Sequence, residues 1–450
     1  MKRFYQILLP QQRTSSKLHE FQKENFKRYT SNSLKEAKCL NGHPNPLEEE
    51  ATLYIHWPYC QKRCHYCNFN KYISQNVDHG RMRKCLVRET ETLLNLSGVK
   101  KIKSIFFGGG TPSLAEPKTF AAVIDCVRAK VALEDEAEVT MEANPTSTEA
   151  ALLAEFKVAG VNRLSLGVQT FNEDLLKFLG RNHSVADSLR SLEAAKNIFR
   201  GRVSIDLIFG NPTQTLDMWS TELEGALQVC DDHVSLYQLT LERGTALFKM
   251  YENGDFTQPS SDLMADMYQS AVERLSEAGF QRYEVSNFAR GNSKSVHNQS
   301  YWSGAQYLGV GPGAHGRFMP LHNIYSGTRS FVREARIQTL EPDGWMCEVE
   351  KYGHGTRKIT RLSKVDVLNE LVLTGLRTSE GLENSNFEQL SGGVSLHEVF
   401  GDSMVVQDLD RTGFLEVTPE YLRVTDRGLI VLDSFVPDII NALNKYFAGS

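Results

Sequence analysis

"YIHWPYCQKRCHYCNFN", residues Tyr54 to Asn70, sets three cysteines within eight positions, directly after an apolar, β-rich run. Cys60, Cys64 and Cys67 follow a C-x3-C-x2-C spacing, and the residue two places beyond the last is Phe69, not a fourth cysteine. Soft thiolates this close together select zinc, copper(I) or an iron–sulfur cluster. Structural zinc takes four ligands, normally with a second pair from a nearby turn. Here only His56 and His65 lie close, and His65 sits inside the cysteine loop. A [4Fe–4S] cluster usually takes four cysteines, so three would leave one iron open to an outside ligand. On spacing alone both readings stand.

Outward from this loop, short β-rich runs alternate with helical stretches. "TLYIHW" precedes a helix near 77–96, "KSIFFGGG" one near 117–131 and "EVTMEAN" one near 148–159. "RLSLGVQ" precedes two helices up to 199, "VSIDLIFG" one near 216–229, and "HVSLYQLTLE" ends the series. Such an order implies parallel βα units. The strands look near-continuously apolar, as in a sheet covered by helices. Polar and glycine-rich motifs fall at the C-terminal strand ends, where α/β folds assemble their sites. Six units are too few for an eight-stranded barrel, so the expected fold class is α/β, a partial (β/α)6 barrel, with a doubly wound open sheet as the rival. After 244 the pattern changes to a helix near 262–278, then "YEVSNFA", "HNQSYW" and "YLGVGPGAHG", the last read as a glycine-rich loop region. Helical periodicity returns from 363, and "GFLEVTPEYLRVTDRGLIVLDSFV" reads as a hairpin and helix. The expected organisation is a leader over 1–50, the barrel over 51–243, an α+β extension over 244–362 and a small helical, winged-helix-like cap over 363–450.

The chain has 450 residues, 41% of them hydrophobic and 23% charged, which suits a globular protein. A formal charge of −5 argues against a protein that coats nucleic acid, and no apolar run is long enough for a transmembrane helix. Five of the eight cysteines are scattered, unlike a secreted disulfide framework. Residues 1–40 hold nine Lys/Arg against Glu20, Glu24 and Glu36, with hydroxyl residues in "RTSS" and "RYTSNS". That leader resembles a mitochondrial presequence, the plainer alternative being a basic tail.

C-x3-C-x2-C directly after the first strand of such a fold resembles the radical S-adenosylmethionine family. The resemblance implies a [4Fe–4S] cluster on Cys60, Cys64 and Cys67, with S-adenosylmethionine on the open iron as the source of a 5′-deoxyadenosyl radical. "GGGTP", "MEANP", "GVQ", "LGRNH" and "SIDLIFGNP" end or follow successive strands. The stretch from Leu53 to about Gly316 resembles oxygen-independent coproporphyrinogen dehydrogenase and its relatives. Matched residue by residue, this implies adenosylmethionine contacts at Tyr54, Tyr66, Gly109, Gly110, Thr111, Glu142, Gln169, Arg181 and Asp206. Taken singly, each of these polar residues reads more plainly as a cap or loop residue.

The dehydrogenase proper carries one more cysteine where this chain has Phe69. That departure, with "HWPYC", "CNFNKY", "FFGGGTPSLA", "YLGVGPGAHGRFMP" and "REARIQTLEP", resembles the heme-chaperone branch and its animal mitochondrial members. It implies heme as cargo, heme-accepting proteins of the respiratory chain as partners, a mitochondrial location, and no coproporphyrinogen dehydrogenase activity. The sequence leaves a homodimer open. The rival function is oxidative decarboxylation of coproporphyrinogen III by a true radical enzyme. The branch also carries H-N-x-x-Y-W, here His297, Asn298, Tyr301 and Trp302. A neutral imidazole ligates heme iron well, and aromatic neighbours stack on porphyrin faces. The plainer reading has His297 capping backbone groups and Trp302 packed in a core. His315 is a rival ligand, and Asn211 departs from the apolar residue more usual after "FG".

Overall fold

A computed structural model describes residues 49–321 and 332–449, so nearly all of the leader lies outside the described residues. β1 (Glu50–Trp57) opens the main sheet, and a short parallel pair, β2 (Tyr59–Cys60) and β3 (Tyr72–Ile73), brackets the cysteine loop. There follow α1 (His79–Ser97), β4 (Lys101–Gly109), α2 (Pro117–Lys130), β5 (Ala132–Ala143), α3 (Ser147–Val158) and β6 (Arg163–Gln169). α4 (Glu173–Phe178) and α5 (Val185–Ile198) lead to β7 (Val203–Phe209), α6 (Leu216–Val229) and β8 (His233–Gln238). All six expected strands form, and the expected helix over 216–229 is α6 end to end. Local chemistry explains the boundaries. Pro117 opens α2, Ser184 and Asp187 form a capping box on α5, and Thr215 caps α6.

The glycine-rich loop expected after residue 306 is instead part of the sheet. Past α7 (Ala246–Glu252) and α8 (Ser261–Glu277) come β9 (Gln281–Glu284), β10 (Asn287–Ala289) and α9 (Val296–Trp302). β11 (Gln306–Val310) then pairs in parallel with β1, Gly309 opposite Tyr54. β12 (His315–Phe318), β13 (Glu334–Gln338), α10 (Pro342–Tyr352) and β14 (Thr356–Arg361) complete the region. A Cβ on Gly309 would collide with the carbonyl oxygen of His315, so this glycine serves a close strand approach rather than a flexible loop. The result is a mixed twelve-stranded sheet, ordered β14-β13-β12-β11-β1-β4-β5-β6-β7-β8-β10-β9. The seven central strands are parallel and the outer ones antiparallel.

The central strands are not uniformly apolar as expected; they alternate. Leu53, Ile55, Ile105, Phe107, Val139, Met141, Leu164, Leu166, Ile205, Leu207, Val234 and Leu236 share one core with helix residues such as Met82, Phe120, Phe156, Leu192 and Trp219. Their neighbours in sequence, on the opposite face, are Tyr54, Ser104, Glu138, Glu142, Arg163, Ser165, Ser204, Asp206, His233 and Ser235. With a side-chain period of two, the helices cover the apolar face and leave a polar face for chemistry.

The C-terminal region has its own core, which includes Leu368, Val372, Phe387, Phe400, Leu422, Leu432 and Ile439. Four helices, α11 (Lys364–Gly375), α12 (Asn384–Ser391), α13 (Leu396–Phe400) and α14 (Met404–Arg411), precede a hairpin and α15 (Asp426–Gly449). The hairpin joins residues Leu382–Glu383 in a three-stranded sheet. No helix among the described residues is long and apolar enough to cross a membrane.

Candidate functional site

The cysteine loop is fastened to the C-terminal ends of the strands by its backbone. The Gly110 amide donates to the Trp57 carbonyl at 2.7 Å, Thr111 to Tyr59 at 2.9 Å and His65 to Leu179 at 3.0 Å. A Cβ on Gly110 would stand 2.8 Å from the Tyr59 carbonyl oxygen, so the glycine run lets β4 press against the loop. Asn70 donates to the carbonyls of Pro312 and Leu340, both at 2.9 Å, and Lys71 to that of Cys67.

Two of the three sulfurs accept hydrogen bonds. Thr111 Oγ1 donates to Cys60 Sγ at 3.3 Å, and Arg181 Nη1 to Cys64 Sγ at 3.5 Å. Burial pushes the Cys60 thiol up to about 11, against the pull of Thr111. Among the described residues no three His, Cys, Asp or Glu side chains converge to hold a single metal ion; thiols that bind separate corners of a cluster need not converge. The nearby imidazoles are engaged elsewhere. His65 Nδ1 lies 2.7 Å from the Phe178 carbonyl oxygen, and His56 bridges Tyr54 and the Asn70 carbonyl. A structural zinc would lack its fourth ligand here.

The polar sheet face divides in two. At the C-terminal halves of the strands, Tyr54, Phe106, Glu142, Ser165, Asp206 and Tyr237 keep exposed surface although several lie deep in the protein. They therefore line an open depression. Burial raises the Glu142 carboxyl to about 8, helped by Asp206 and opposed by the Gly109 amide at 2.9 Å. Burial likewise raises Asp206 to about 6, with Ser165 Oγ at 3.1 Å. Among the described residues neither carboxylate has a Lys or Arg partner. Arg181 donates to Asn144 Oδ1 at 2.7 Å and the Gly167 carbonyl at 2.8 Å, while its Nε is buried with no partner. Tyr66 packs with Leu179, Ile208, Leu239 and Leu247, its hydroxyl held neutral by burial. Gln169 takes φ +70° where the β6–β7 register shifts, a strained conformation of the kind found at ligand sites. Carboxylates that lack an ion-pair partner and an orphaned guanidinium nitrogen fit a ligand that carries cations, hydroxyls and a carboxylate.

At the N-terminal halves, the face is filled. Glu138 pairs with Arg163 at 3.4 Å, both buried, and accepts from the amides of Val296 and His297 at the start of α9. His233 bridges Ser204 and Tyr283 at 2.6 and 2.7 Å. His297 is part of this plug: Nδ1 lies 3.0 Å from Ser104 Oγ, and burial lowers the ring to about 3. Trp302 and Tyr301 pack with Tyr283 and Ala289. Ser104 lies five residues before Gly109 on β4, roughly 17 Å along the strand. The structure thus does not bring His297 to the cysteines. The Phe106 ring stands between, 6.2 Å from Tyr54 and 5.0 Å from His297. His315 lies on β12 opposite Ile337.

Asn144 and Asn70, which hold this site together, were not singled out from sequence; the quoted "MEANP" and "CNFNKY" contain them. Asn211, noted as a departure, is buried and donates to the Ile208 carbonyl at 2.9 Å, bracing the turn after β7.

The Radical SAM superfamily model matches residues 54–224, and the HemN C-terminal domain model residues 362–431. The fold and cysteine loop are thus those of the radical SAM class. Radical S-adenosyl methionine domain-containing protein 1, mitochondrial, of Mus musculus is 51% identical over 402 residues, covering 89% of this chain and 90% of that protein. The heme chaperone HemW of Bacillus subtilis (strain 168) is 32% identical over 379 residues, covering 84% and 96%. The chain belongs to the family that unites these proteins. Among solved structures, coproporphyrinogen III oxidase (HemN) from Escherichia coli matches with a TM-score of 0.70 at 21% identity, covering 89% of this chain and 91% of that one; the likeness is one of fold. Membership implies a [4Fe–4S] cluster and S-adenosylmethionine, and the location is mitochondrial, as the relatives' names state.

Proposed function

We propose that the protein is a heme chaperone. It holds a [4Fe–4S] cluster on Cys60, Cys64 and Cys67, binds S-adenosylmethionine in the strand-end depression, and delivers heme to acceptor proteins of the respiratory chain. The observation that carries the reading is the three-cysteine loop beside a depression lined by Glu142 and Asp206, neither of which has an ion-pair partner among the described residues. Phe69 occupies the place of a further cysteine and is 48% exposed. The relatives named heme chaperone support heme as cargo. When bound, the cluster supplies one-electron chemistry toward the sulfonium. The chain's own part is to orient and enclose the cofactor: Glu142 and Asp206 meet its cations and hydroxyls, and Arg181 its carboxylate. His297 is our first candidate heme ligand through Nε2, and α9 must shift to expose it; His315 is the second.

The test takes anaerobically reconstituted protein with one equivalent of heme, beside His297→Ala and His315→Ala, followed by coproporphyrinogen III, adenosylmethionine and reductant. Stable heme absorption, weakened in one variant and without protoporphyrinogen formation, is expected. Decarboxylated product without retained heme would make the protein a dehydrogenase and overturn the reading.

A further inference from the structure

Three side chains, Thr111, Asn144 and Arg181, link two of the three cysteine sulfurs through a hydrogen-bonded chain whose polarity can be assigned from end to end. Arg181 can only donate, so the atom of Asn144 that faces its Nη2 at 2.7 Å must be Oδ1. That fixes the amide, and Nδ2 then points at Thr111 Oγ1, 3.1 Å away. The Thr111 oxygen accepts this bond, and its own hydrogen is directed to Cys60 Sγ at 3.3 Å. At the other end, Nη1 of the same guanidinium donates to Cys64 Sγ at 3.5 Å. The hub is itself anchored: buried Glu149 accepts from the backbone N–H of Asn144 at 2.9 Å and from the Ser113 hydroxyl.

We propose that Asn144 is a positioning residue that fixes the Thr111 hydroxyl as a hydrogen-bond donor to Cys60 and, with Arg181, sets the reduction potential of the cluster. Hydrogen bonds to ligating sulfur raise a cluster's potential because they stabilise the reduced, more negative state. Asn144 touches neither sulfur; it acts by denying Thr111 any other use of its hydrogen. The inference rests on the cluster reading above and adds to it a residue outside the family-matched contacts.

Asn144→Asp is nearly isosteric and inverts the logic. A carboxylate accepts from both Arg181 and Thr111, so the hydroxyl turns away from Cys60. The experiment reconstitutes wild type, Asn144→Asp, Thr111→Val, Thr111→Ser and the Asn144→Asp/Thr111→Val double variant. It measures iron and sulfide per chain, then the midpoint potential by EPR-monitored titration without adenosylmethionine. Thr111→Val is expected to lower the potential and Thr111→Ser to restore it. Asn144→Asp should lower it further in wild type than in the Thr111→Val background, because only wild type has the hydroxyl to lose. Equal shifts in both backgrounds would show that Asn144→Asp acts by its charge alone, and would overturn the relay while leaving the cluster in place. Should Asn144→Asp lose its cluster, the Val–Ser pair decides at the Thr111 end, and unchanged potentials there overturn the inference. A wild type that assembles no cluster overturns this inference together with the function on which it rests.

Discussion

Glu142→Gln tests whether the strand-end depression is an electrostatically poised site. In the folded protein Glu142 stands at about 8, against 4.5 for an ordinary glutamate, mainly because burial strips its solvent. The folded state therefore holds a proton that the unfolded chain releases between those values. Stability is full below about pH 4.5 and is lost as pH rises through 8. Asp206, at about 6, and Glu89, at about 7, spend most of their contribution below pH 7. Between pH 7 and 8, then, wild type should lose ~1 kcal/mol more than Glu142→Gln, an upper figure because the carboxyl is partly open to solvent. Urea denaturation of the cluster-free protein at both pH values measures the difference. Ligand binding gives a second readout. A cation seated beside Glu142 pulls its pKa down, so adenosylmethionine should release close to one proton at pH 7, and Glu142→Gln should abolish that release. Calorimetry in buffers of different ionisation enthalpy counts it. Parallel pH profiles for the two proteins, or a buffer-independent binding enthalpy in wild type, would refute the reasoning.

Other positions yield sharper structural outcomes. Gly110→Ala drives a methyl against the Tyr59 carbonyl, so iron and sulfide content should fall severalfold while circular dichroism stays native. Glu138→Gln leaves Arg163 buried without its counter-ion and turns one of the two oxygens that accept from Arg163 and the start of α9 into a donor; a loss of roughly 3–5 kcal/mol is expected in denaturant unfolding. If heme is ligated by His297 through Nε2, its binding must shift α9 out of the plug and accelerate amide hydrogen exchange over 296–302. Unchanged exchange there with heme bound would shift the ligand to His315 or elsewhere.

The parallel βα units were legible because the strands are bounded by glycine or polar residues and followed by helices that mostly open on a Ser, Thr, Asn or Asp cap or on a proline. The three cysteines were legible because their spacing is itself the chemistry. The alternation within the strands was equally present in "EVTME", "RLSLG" and "VSIDL", yet isolated serines and glutamates among apolar neighbours passed for noise. β11 was hidden for a different reason. Glycine at 309, 311 and 313 suggests a loop, and only the neighbouring His315 carbonyl reveals that glycine is needed for close packing. Asn144 and Asn70 were beyond reach from sequence, since their meaning lies in partners 37 and 242 residues away.

Those long-range partners also explain how one sheet face serves two ends. A parallel sheet that buries Glu138, Arg163, Ser204 and His233 must satisfy each of them, or the desolvation cost would exceed what the hydrophobic face supplies. The sequence does so by returning after β8 and inserting Tyr283, Ser295 and the start of α9. Among the described residues the same face at the other strand ends receives no such insertion, so Glu142 and Asp206 stay without an ion-pair partner and the Arg181 Nε without a hydrogen-bond acceptor. The two ends thus differ in charge balance: Glu138 is held by a buried arginine, whereas Glu142 and Asp206 keep only neutral donors, the Gly109 amide and the Ser165 hydroxyl. Carboxylates without a counter-ion at an open strand end suit the cationic ligand proposed above. The plug and the depression meet at Phe106, so any movement of α9 that exposed His297 would be felt on the Tyr54 side of the depression.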